Sequence, residues 1–305
     1  MTRDAVTGAF GFTGRHIAAR LLADGRDVLN LTNHPDLPDP FRGRVSTGPL
    51  AFGDASSLAD SLREVDTLYN TYWVRFPRGR VTHADAVVNS TVLFAAARSA
   101  GVRRIVHVSI ANPSPTSPLS YYRGKAAVEA ALAASGLSHA ILRPAVLFGD
   151  EPILFNSIAW LLRRLPAFGI PGDGRYGIQP IRVDDLARLA VDFGRRDDDV
   201  TVDAAGPECP TFAQLVRLIR ESVGSRTRIV HVPPSAALGA AWLLGHLVHD
   251  VMLTGQELDG LRDGLLVSHQ PPLGIARLSE WLVSAAPWLG RRYIPEVSRH
   301  FLAAA

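Results

Sequence analysis

The sequence predicts an α/β protein: a parallel sheet flanked by helices, followed by a smaller and mostly helical lobe. Two observations favour this fold. Short apolar runs alternate with helical patterns through the N-terminal half, which is typical of parallel strands joined by helices. A glycine-rich turn, Gly8 to Gly14, also follows the first apolar run directly and opens a helical pattern. After Asp150 the strands give way to helical patterns separated by glycine- and proline-rich loops.

The predicted elements follow the apolar runs and the residues that interrupt them. The strands are expected at about 4–7, 28–32, 48–52, 67–72, 104–108 and 140–142. The helices are expected at about 13–24, 54–62, 84–100, 121–134, 153–165, 183–194 and 212–223. Gly25 and Gly101 end the first and third helices, as glycines at helix C-termini commonly do. The stretch from about 235 to 305 is expected to be wholly helical.

These elements predict two regions. Residues 1–150 should form a Rossmann-type, doubly wound dinucleotide-binding domain, with its sheet completed by segments within 175–205. Residues 151–305 should form a smaller substrate-binding and helical region.

Composition excludes several classes of protein. The 305 residues are 47% hydrophobic and 20% charged, which is an ordinary globular balance and argues against disorder. The net charge of +3, without a basic cluster, gives no support for nucleic-acid binding. The single cysteine, Cys209, excludes an internal disulfide and is typical of a reducing compartment, so we expect a cytoplasmic protein.

The most apolar stretch, about 236–248, is shorter than the ~20 residues of a membrane-spanning helix. We expect it to pack in the core or in an oligomer contact rather than on a membrane. His246 and His249 within and after it have the spacing of metal ligands, but no third ligand accompanies them, so no metal site is predicted.

The glycine turn predicts a dinucleotide site. In a Gly-x-x-Gly-x-x-Gly turn, the first glycine allows the tight turn, the second admits a pyrophosphate, and the third lets the helix pack closely on the strand. The helix N-terminus then offers free N–H groups to the phosphates. The residues expected to contact the cofactor here are Gly8, Phe10, Gly11, Phe12, Thr13 and Gly14.

The end of the second strand favours NADP(H) over NAD(H). NAD sites place a carboxylate there to hold the ribose 2′-hydroxyl, whereas this chain has Thr32-Asn33-His34. Asn33 is therefore expected near the adenosine ribose. Asp54, after the third strand, has two compatible interpretations: a contact to the adenine, or the cap of the following helix.

A serine, a tyrosine and a lysine form the candidate catalytic group. Tyr121 and Lys125 are four residues apart and share one face of a helix, while Ser109 follows a strand at the ligand-binding end of the sheet. A neighbouring ammonium favours the phenolate form of a tyrosine, and a serine hydroxyl can orient a carbonyl oxygen. Lys125 is the only lysine among 32 basic residues, which favours a specific role for it.

These motifs resemble the short-chain dehydrogenase/reductase superfamily. The similarity extends over most of residues 4–200, through the Gly8–Gly14 turn, Ser109, Tyr121-x-x-x-Lys125 and Arg143-Pro144. The extended and atypical branch is the more similar one, with its epimerase/dehydratase-like and NmrA-like proteins and the family of the 39-kDa subunit of respiratory complex I. The spacing of this family selects Tyr121 rather than Tyr122 as the acid/base.

The resemblance implies further residues. Asn89 matches a helix asparagine that supports the active site in relatives, and Lys125 would also hold the nicotinamide ribose. Further cofactor contacts are implied at Asn70, Tyr72, Pro144 and Val146. Substrate contacts are expected from the second lobe and from loops that face the cofactor, at Trp73, Asn112, Asn156, Arg175 and Gln179.

Two classes of function remain open. The intact Ser-Tyr-Lys group favours an NADP(H)-preferring oxidoreductase, or an epimerase/dehydratase, that acts on a carbonyl or hydroxyl of a small molecule. The alternative is a non-catalytic NAD(P)H-binding redox sensor or accessory subunit. A homodimer is possible through the helices near 90–100 and 126–134.

Overall fold

The computed structural model describes residues 2–295 except Asp36, Arg78 and Arg80. Contacts between residues divide the chain into two compact units. The first comprises Met1–Pro144 and Val183–Ala204, and the second comprises Ala145–Arg182 and Ala205–Ala305.

The described residues contain strands and helices in an alternating order. The strands are β1 (Arg3–Thr7), β2 (Asp27–Thr32), β3 (Ser46–Pro49), β4 (Val65–Asn70), β5 (Arg104–Val108), β6 (Ser138–Pro144), β7 (Val146–Phe148), β8 (Ala167–Pro171), β9 (Pro180–Arg182), β10 (Val200–Ala204) and β11 (Arg228–Val232). The helices are α1 (Phe12–Ala23), α2 (Ala55–Ser61), α3 (His83–Ser99), α4 (Ser120–Ala134), α5 (Ile153–Leu162), α6 (Val183–Gly194), α7 (Phe212–Ser222), α8 (Pro234–Val248), α9 (Gly255–Arg262) and α10 (Leu278–Ala285).

Within the described residues, the first unit is built on a seven-stranded parallel sheet. Its strand order is β10-β6-β5-β4-β1-β2-β3. The chain moves outward from β1 through β2 to β3, then crosses to β4 and continues to the other edge. This doubly wound order confirms the predicted Rossmann-type fold, and β10 completes the sheet beside β6. Ligands of such sheets bind at the carboxyl ends of the strands where the order reverses, here beside β1 and β4.

Apolar side chains from the strands and helices hold this unit together. The strands bury residues on both faces, as expected for a parallel sheet covered by helices. One core cluster contains Leu68 and Ile105 from the strands and Leu93, Phe94 and Val128 from α3 and α4. Polar side chains that are buried on the same strands are therefore exceptions within an apolar core.

The second unit has its own core around two short parallel strand pairs, β8–β11 and β7–β9. Phe148, Phe155 and Trp281 pack with ring centroids 5.3–6.2 Å apart at its centre. Helices α5, α7 and α10 supply most of the other apolar residues of this core. The unit can therefore exclude water from its own interior.

The prediction of a wholly helical C-terminal region is wrong. The stretch after 235 is not wholly helical, because α8, α9 and α10 are separated by loops at 249–254 and 263–277. Gly264, with a φ of +73°, and the pair Pro271-Pro272 break the helical path. The last ten residues of that predicted helical stretch, 296–305, lie outside the described residues.

Helix α8 is also not a core helix. Trp242, Leu243 and Leu247 are 65%, 58% and 70% exposed, and Gly245 is the only residue of α8 that is buried. The other prediction for this stretch, a contact in an oligomer, stays untested. Among the described residues, no helix is long and apolar enough to cross a membrane, and no group of side chains is arranged to hold a metal ion.

Candidate active site

The glycine turn joins β1 to α1 in a conformation that its glycines permit. Gly8 has a φ of +66°, which is unfavourable for other residues, and its N–H donates to the Leu31 carbonyl over 2.8 Å. A Cβ on Gly14 would lie 2.1 Å from the Gly8 carbonyl oxygen, closer than any side-chain carbon can come. Helix α1 therefore packs directly on the turn, and only glycine fits at position 14.

The N-terminus of α1 is free to receive an anion. Its N-cap residue is Gly11, which has no side chain to occupy the helix N–H groups, and no acidic residue lies in the first turn. Phe10 and Phe12 flank this end with rings against Phe41 and His16, at centroid distances of 6.2 and 6.0 Å. Thr13 is half-buried in the first turn. This arrangement suits a phosphate group.

The residues after β2 and β3 are placed differently. Asn33 is exposed directly after β2. The Asp54 carboxylate accepts a hydrogen bond from the Ser57 N–H over 3.0 Å and caps α2, which supports the second interpretation of this residue. Sequence reasoning missed Asn30, a buried residue of β2 whose Oδ1 accepts the Ala9 N–H over 2.8 Å and so supports the glycine turn.

A polar network fixes the loop that follows β4. The Thr7 Oγ1 accepts hydrogen bonds from the N–H groups of Thr71 and Tyr72, over 2.7 and 3.1 Å. The Tyr72 N–H also donates to Asn70 Oδ1 over 3.1 Å. Asn70 is thus a bracing residue at the carboxyl end of β4, and it positions the backbone that carries Tyr72.

Asn89 contacts Tyr72 rather than the candidate catalytic group. Its Nδ2 donates to the Tyr72 hydroxyl over 2.9 Å, and the Phe52 ring covers the same tyrosine at a centroid distance of 4.7 Å. Burial raises the pKa of Tyr72, so its phenol stays protonated at neutral pH. Any support that Asn89 gives to the active site therefore acts through its hydrogen bond to Tyr72.

Ser109 lies at the carboxyl end of β5. Its N–H donates to the Leu142 carbonyl over 2.7 Å, which continues the pairing of β5 with β6 by one residue. Its side chain is buried, and Oγ has no hydrogen-bond partner among the described residues. A buried hydroxyl without a partner is unfavourable in a purely structural position, so a ligand oxygen or water is the expected partner.

Lys125 is buried against β5, the strand that Ser109 directly follows. Its side chain is 3% exposed, and Nζ donates to the Val108 carbonyl over 2.9 Å. Burial lowers the pKa of Lys125 from 10.5 to about 7, although the charge of Glu129 opposes the shift. A lysine this deep in the protein is rare without a function, since a buried ammonium is unfavourable unless it is paired.

An aromatic cluster covers Lys125 and contacts Tyr121. The Trp73 ring lies 4.6 Å from Lys125 Nζ, stacks on His83 at 5.7 Å, and meets the Tyr121 ring edge-on at 5.7 Å. A Cβ on Gly124 would lie 2.9 Å from Trp73, so glycine at that position admits the indole. Trp73 was predicted as a substrate contact, whereas its contacts here are with the candidate catalytic residues.

The two neighbouring tyrosines differ in exposure. Tyr122 is buried at 7% exposed, while Tyr121 is half-buried and contacts both Trp73 and His83. Tyr121 is also one helical turn from Lys125. The position of Tyr121 therefore favours it over Tyr122 as the candidate acid/base, which is also the residue that the Tyr-x-x-x-Lys spacing selects.

The remaining predicted residues are scattered. Pro144 is buried at the end of β6 and accepts the Ala111 N–H, and Asn112 has a φ of +53° in the loop that follows β5. Val146, in β7, and Arg175, which is exposed, both belong to the second unit.

Asn156 and Gln179 in the second unit have structural partners. The Asn156 amide bridges Arg292 O and the Gly290 N–H, although this residue also lines a cavity of about 560 Å³. The Gln179 amide bridges Gly206 O and the Ser268 N–H. Backbone groups therefore occupy both amides, and the substrate contacts predicted at these two residues stay untested.

Comparison with known proteins places the chain in a family. An NAD(P)H-binding family model matches residues 8–157, the region that contains the glycine turn, Ser109, Tyr121 and Lys125. The chain belongs to this NAD(P)H-binding family. Its fold agrees with the solved nucleoside-diphosphate-sugar epimerase of Staphylococcus aureus, with a TM-score of 0.74 and 19% identity over 93% of this chain and 100% of that one.

Two relatives of similar sequence and one further solved structure of similar fold have different names. A 40-kDa subunit of NADH-ubiquinone oxidoreductase from Neurospora crassa is 26% identical over 83% of this chain and 69% of its own length. Sterol demethylase protein B of Methylococcus capsulatus is 31% identical over 78% of this chain and 80% of its own length. The solved NADPH-dependent quinone oxidoreductase QOR2 of Escherichia coli, in complex with NADPH, has a TM-score of 0.76 and 19% identity, covering 92% and 98% of the two chains.

The residues present fit an NAD(P) cofactor. Gly11 and Gly14 leave space where a Cβ would meet the Gly8 carbonyl, at 3.2 and 2.1 Å, and α1 begins there with uncapped N–H groups. The unpartnered Ser109 hydroxyl and the buried Lys125 ammonium lie further along the same edge of the sheet, at β5, among the residues that the structure describes. A doubly wound sheet binds a dinucleotide in the crevice at the carboxyl ends of its strands, where the strand order reverses.

Proposed function

We propose that this chain is an NADP(H)-preferring oxidoreductase that acts on a carbonyl or hydroxyl group of a small molecule. The observation that carries the proposal is Lys125: a single lysine, buried under Trp73, hydrogen-bonded to the strand that Ser109 follows, and one turn from Tyr121. A protein that only binds the cofactor has no need of a tyrosine and a buried serine hydroxyl beside this ammonium.

The cofactor would lie along the carboxyl ends of the strands. The glycine turn and the first turn of α1 would hold the pyrophosphate, with Asn33 near the adenosine ribose and Lys125 near the nicotinamide ribose. The segment Asn33-His34-Pro35 has no carboxylate to bind a 2′-hydroxyl or to repel a 2′-phosphate, which supports NADP(H). When bound, the nicotinamide gives or takes the hydride.

Three side chains would handle the substrate oxygen. Ser109 would donate a hydrogen bond to it and fix its position. Tyr121 would transfer a proton to or from the same oxygen. The Lys125 ammonium would stabilise the phenolate form of Tyr121 through its charge.

Trp73 adds an aromatic wall to this group. Its indole and the His83 ring are stacked, and both meet the Tyr121 ring edge-on. The wall restricts the rotamers available to Tyr121 and shields Lys125 from water, which strengthens the interaction of the ammonium charge with the phenolate.

The substitution Tyr121→Phe tests the proposal, with Tyr122→Phe as its matched control. We expect Tyr121→Phe to lower the rate of NADPH-dependent carbonyl reduction at least about a hundredfold, because proton transfer is lost. The affinity for NADPH should stay within about twofold of wild type, since the hydroxyl that is removed would face the substrate rather than the cofactor. Tyr122→Phe should retain turnover. NADPH oxidation with a panel of carbonyl compounds measures the rates, and fluorescence titration measures the affinity.

Full activity in Tyr121→Phe would refute the assignment of the acid/base. Net oxidation of NADPH indicates a reductase, whereas turnover of a hydroxyl substrate without net cofactor consumption indicates an epimerase or dehydratase. Both reactions use the same three side chains, so the variant tests them equally.

The second candidate is a non-catalytic NAD(P)H-binding subunit, which the Neurospora relative favours. Such a protein should bind NADPH with unchanged affinity in Ser109→Ala, Tyr121→Phe and the wild type, and should turn over no carbonyl compound. The possible homodimer and the cytoplasmic location stay predictions in either case, as do the substrate contacts expected at Trp73, Asn112, Asn156, Arg175 and Gln179.

A further inference from the structure

Three adjacent strands carry, at or near their carboxyl ends, buried polar side chains that form one hydrogen-bonded chain. Thr7, Asn70 and His107, from β1, β4 and β5, are each at most 1% exposed. The Thr7 hydroxyl donates to Asn70 Oδ1 over 3.2 Å, and Asn70 Nδ2 lies 3.1 Å from His107 Nδ1. Buried polar groups are unfavourable unless they are paired, so the far end of this chain, at the His107 ring, requires an explanation.

The network determines which ring nitrogen of His107 carries the proton. The Tyr72 N–H can only donate, and it donates to Asn70 Oδ1 over 3.1 Å. The amide oxygen of Asn70 is therefore fixed on that side, and its NH₂ group faces His107. Because Nδ1 of the ring accepts from this NH₂ group, the neutral imidazole has its proton on Nε2.

The surroundings keep this ring neutral. Complete burial holds the pKa of His107 well below its ordinary value, and the nearby Lys125 ammonium lowers it further. The backbone carbonyl of Asn70 is a competing acceptor that favours a protonated ring, but burial outweighs it. The Phe94 ring meets His107 edge-on at a centroid distance of 6.2 Å and adds no charge.

The Nε2–H group of His107 and the hydroxyl of Ser109 belong to residues two apart at the carboxyl end of β5. Neither atom has a hydrogen-bond partner among the described residues. Residues two apart in an extended strand lie on the same face, with Cα atoms about 6.6 Å apart. A buried water molecule placed between two such polar groups can bond to both.

We propose that His107 is a positioning residue for Ser109, and that its Nε2–H donates through one buried water to Ser109 Oγ. A serine hydroxyl has one proton and two lone pairs. A donor directed at a lone pair leaves the proton free to point at the substrate oxygen. Every hydrogen bond from Tyr72 through Asn70 and His107 then donates in one direction, and successive bonds polarise one another. The proposal rests on the proposed function, in which Ser109 meets the substrate oxygen.

Nitrogen NMR of the imidazole in the full-length, ¹⁵N-labelled protein tests the first part without any substrate. We expect His107 to show a proton on Nε2, unchanged from about pH 6 to about pH 8, where an ordinary histidine titrates. The Nε2 resonance should shift in Ser109→Ala and stay in place in Ser46→Ala, a control in β3 at the far edge of the sheet. A proton on Nδ1, a titrating ring, or no response to Ser109→Ala would overturn the proposal.

Kinetics of two variants test the second part. His107→Gln keeps an N–H donor close to the Nε2 position, whereas His107→Asn places its amide near Nδ1 and loses that donor. With NADPH and 9,10-phenanthrenequinone as a carbonyl probe, we expect kcat to fall about tenfold in His107→Asn and to stay within about threefold in His107→Gln, since a lost bond of about 1.4 kcal/mol is tenfold in rate. The KM for NADPH should not change.

A double-mutant cycle separates positioning from a merely structural role. In a Ser109→Ala background, His107→Asn should cause no further loss, because its effect acts through the missing hydroxyl. Additive losses, or equal losses in His107→Gln and His107→Asn, would contradict the proposal. If the wild type turns over no carbonyl compound, the proposed function fails, and the NMR result alone decides the link between His107 and Ser109.

Discussion

At the scale of single residues, the site depends on side chains that are unfavourable for stability. Lys125 is a buried ammonium that donates to a backbone acceptor, and Ser109 is a buried hydroxyl without a partner among the described residues. Trp73 offsets part of the unfavourable burial of Lys125, because its ring lies 4.6 Å from the ammonium group. Residues that are poorly satisfied in the resting protein and gathered at one sheet edge are typical of functional sites.

The burial of Lys125 predicts a pH dependence of stability. Because its pKa is about 7 in the folded protein and 10.5 ordinarily, the unfolded chain binds more protons between these pH values. The free energy of unfolding should therefore rise with pH in that window, and the destabilisation should be full below about pH 7.

Lys125→Met tests this dependence. In this variant, the slope of the free energy of unfolding against pH should lose the contribution of Lys125. The free energy of unfolding at pH 7 should rise by on the order of 2 kcal/mol, while activity is lost. Urea denaturation at pH 7 and pH 9 measures both. Arg123→Met, an exposed cation on the same helix, should change neither quantity by more than about 0.5 kcal/mol. A destabilised Lys125→Met with an unchanged slope would show that the lysine is charged and well paired.

At the scale of elements, α1 depends on a contact between backbones. Its Gly14 lies against the Gly8 carbonyl, so the helix and the turn cannot separate without displacing the N–H groups at the start of α1. The same helix begins at the end of β1, beside the point where the strand order reverses. Cofactor binding and the packing of α1 should therefore fail together.

Gly14→Ala should weaken NADPH binding at least about tenfold and lower the melting temperature by several degrees, because its Cβ would lie 2.1 Å from a carbonyl oxygen. Gly239→Ala is the matched control, since Gly239 is also helical but an added Cβ there would have no atom within 4 Å. That change should leave binding intact and stabilise α8 by up to about 1 kcal/mol. Fluorescence titration and thermal melting measure the two effects. Intact binding in Gly14→Ala would show that the turn can relax.

The order of strands and helices as far as β6 could be predicted because it depends on local patterns: apolar runs, helical periodicity and glycine punctuation. The short strands β7, β8, β9 and β11 were not predicted, because each has only three to five residues and lies among helical patterns. The partners of the side chains could not be predicted. His107 reads as one polar residue in an apolar strand, and only the pairing of β4 with β5 brings it to Asn70. Trp73 reads as a bulky residue after a strand, and only the packing of α3 against α4 brings it to His83 and Lys125. Contacts of this kind depend on the folded topology.

At the scale of the whole molecule, the two units have separate cores, and the cofactor residues that we propose lie in the first, apart from Val146. A ligand that binds the folded state stabilises it by mass action, by about 2.7 kcal/mol at a concentration one hundred times its Kd. Cofactor preference should therefore appear as a difference in melting temperature.

We expect NADPH to raise the melting temperature by about 5 °C at such a concentration, and NADH to raise it less at the same concentration. The physical reason is the segment Asn33-His34-Pro35, which offers no carboxylate to the ribose. Asn33→Asp should reverse the order, since a carboxylate repels the 2′-phosphate and accepts from a 2′-hydroxyl. An equal or larger shift with NADH in the wild type would contradict the preference for NADP(H).

The single lysine has a further consequence for chemical labelling. Apart from the α-amine, Lys125 is the only primary amine of the chain, and its low pKa makes a large part of it uncharged, and hence nucleophilic, near neutrality. Trp73 and the strand beneath shelter it. An amine-selective acylating reagent would thus report on one position, and its rate of reaction would measure how often the indole swings away from the amine.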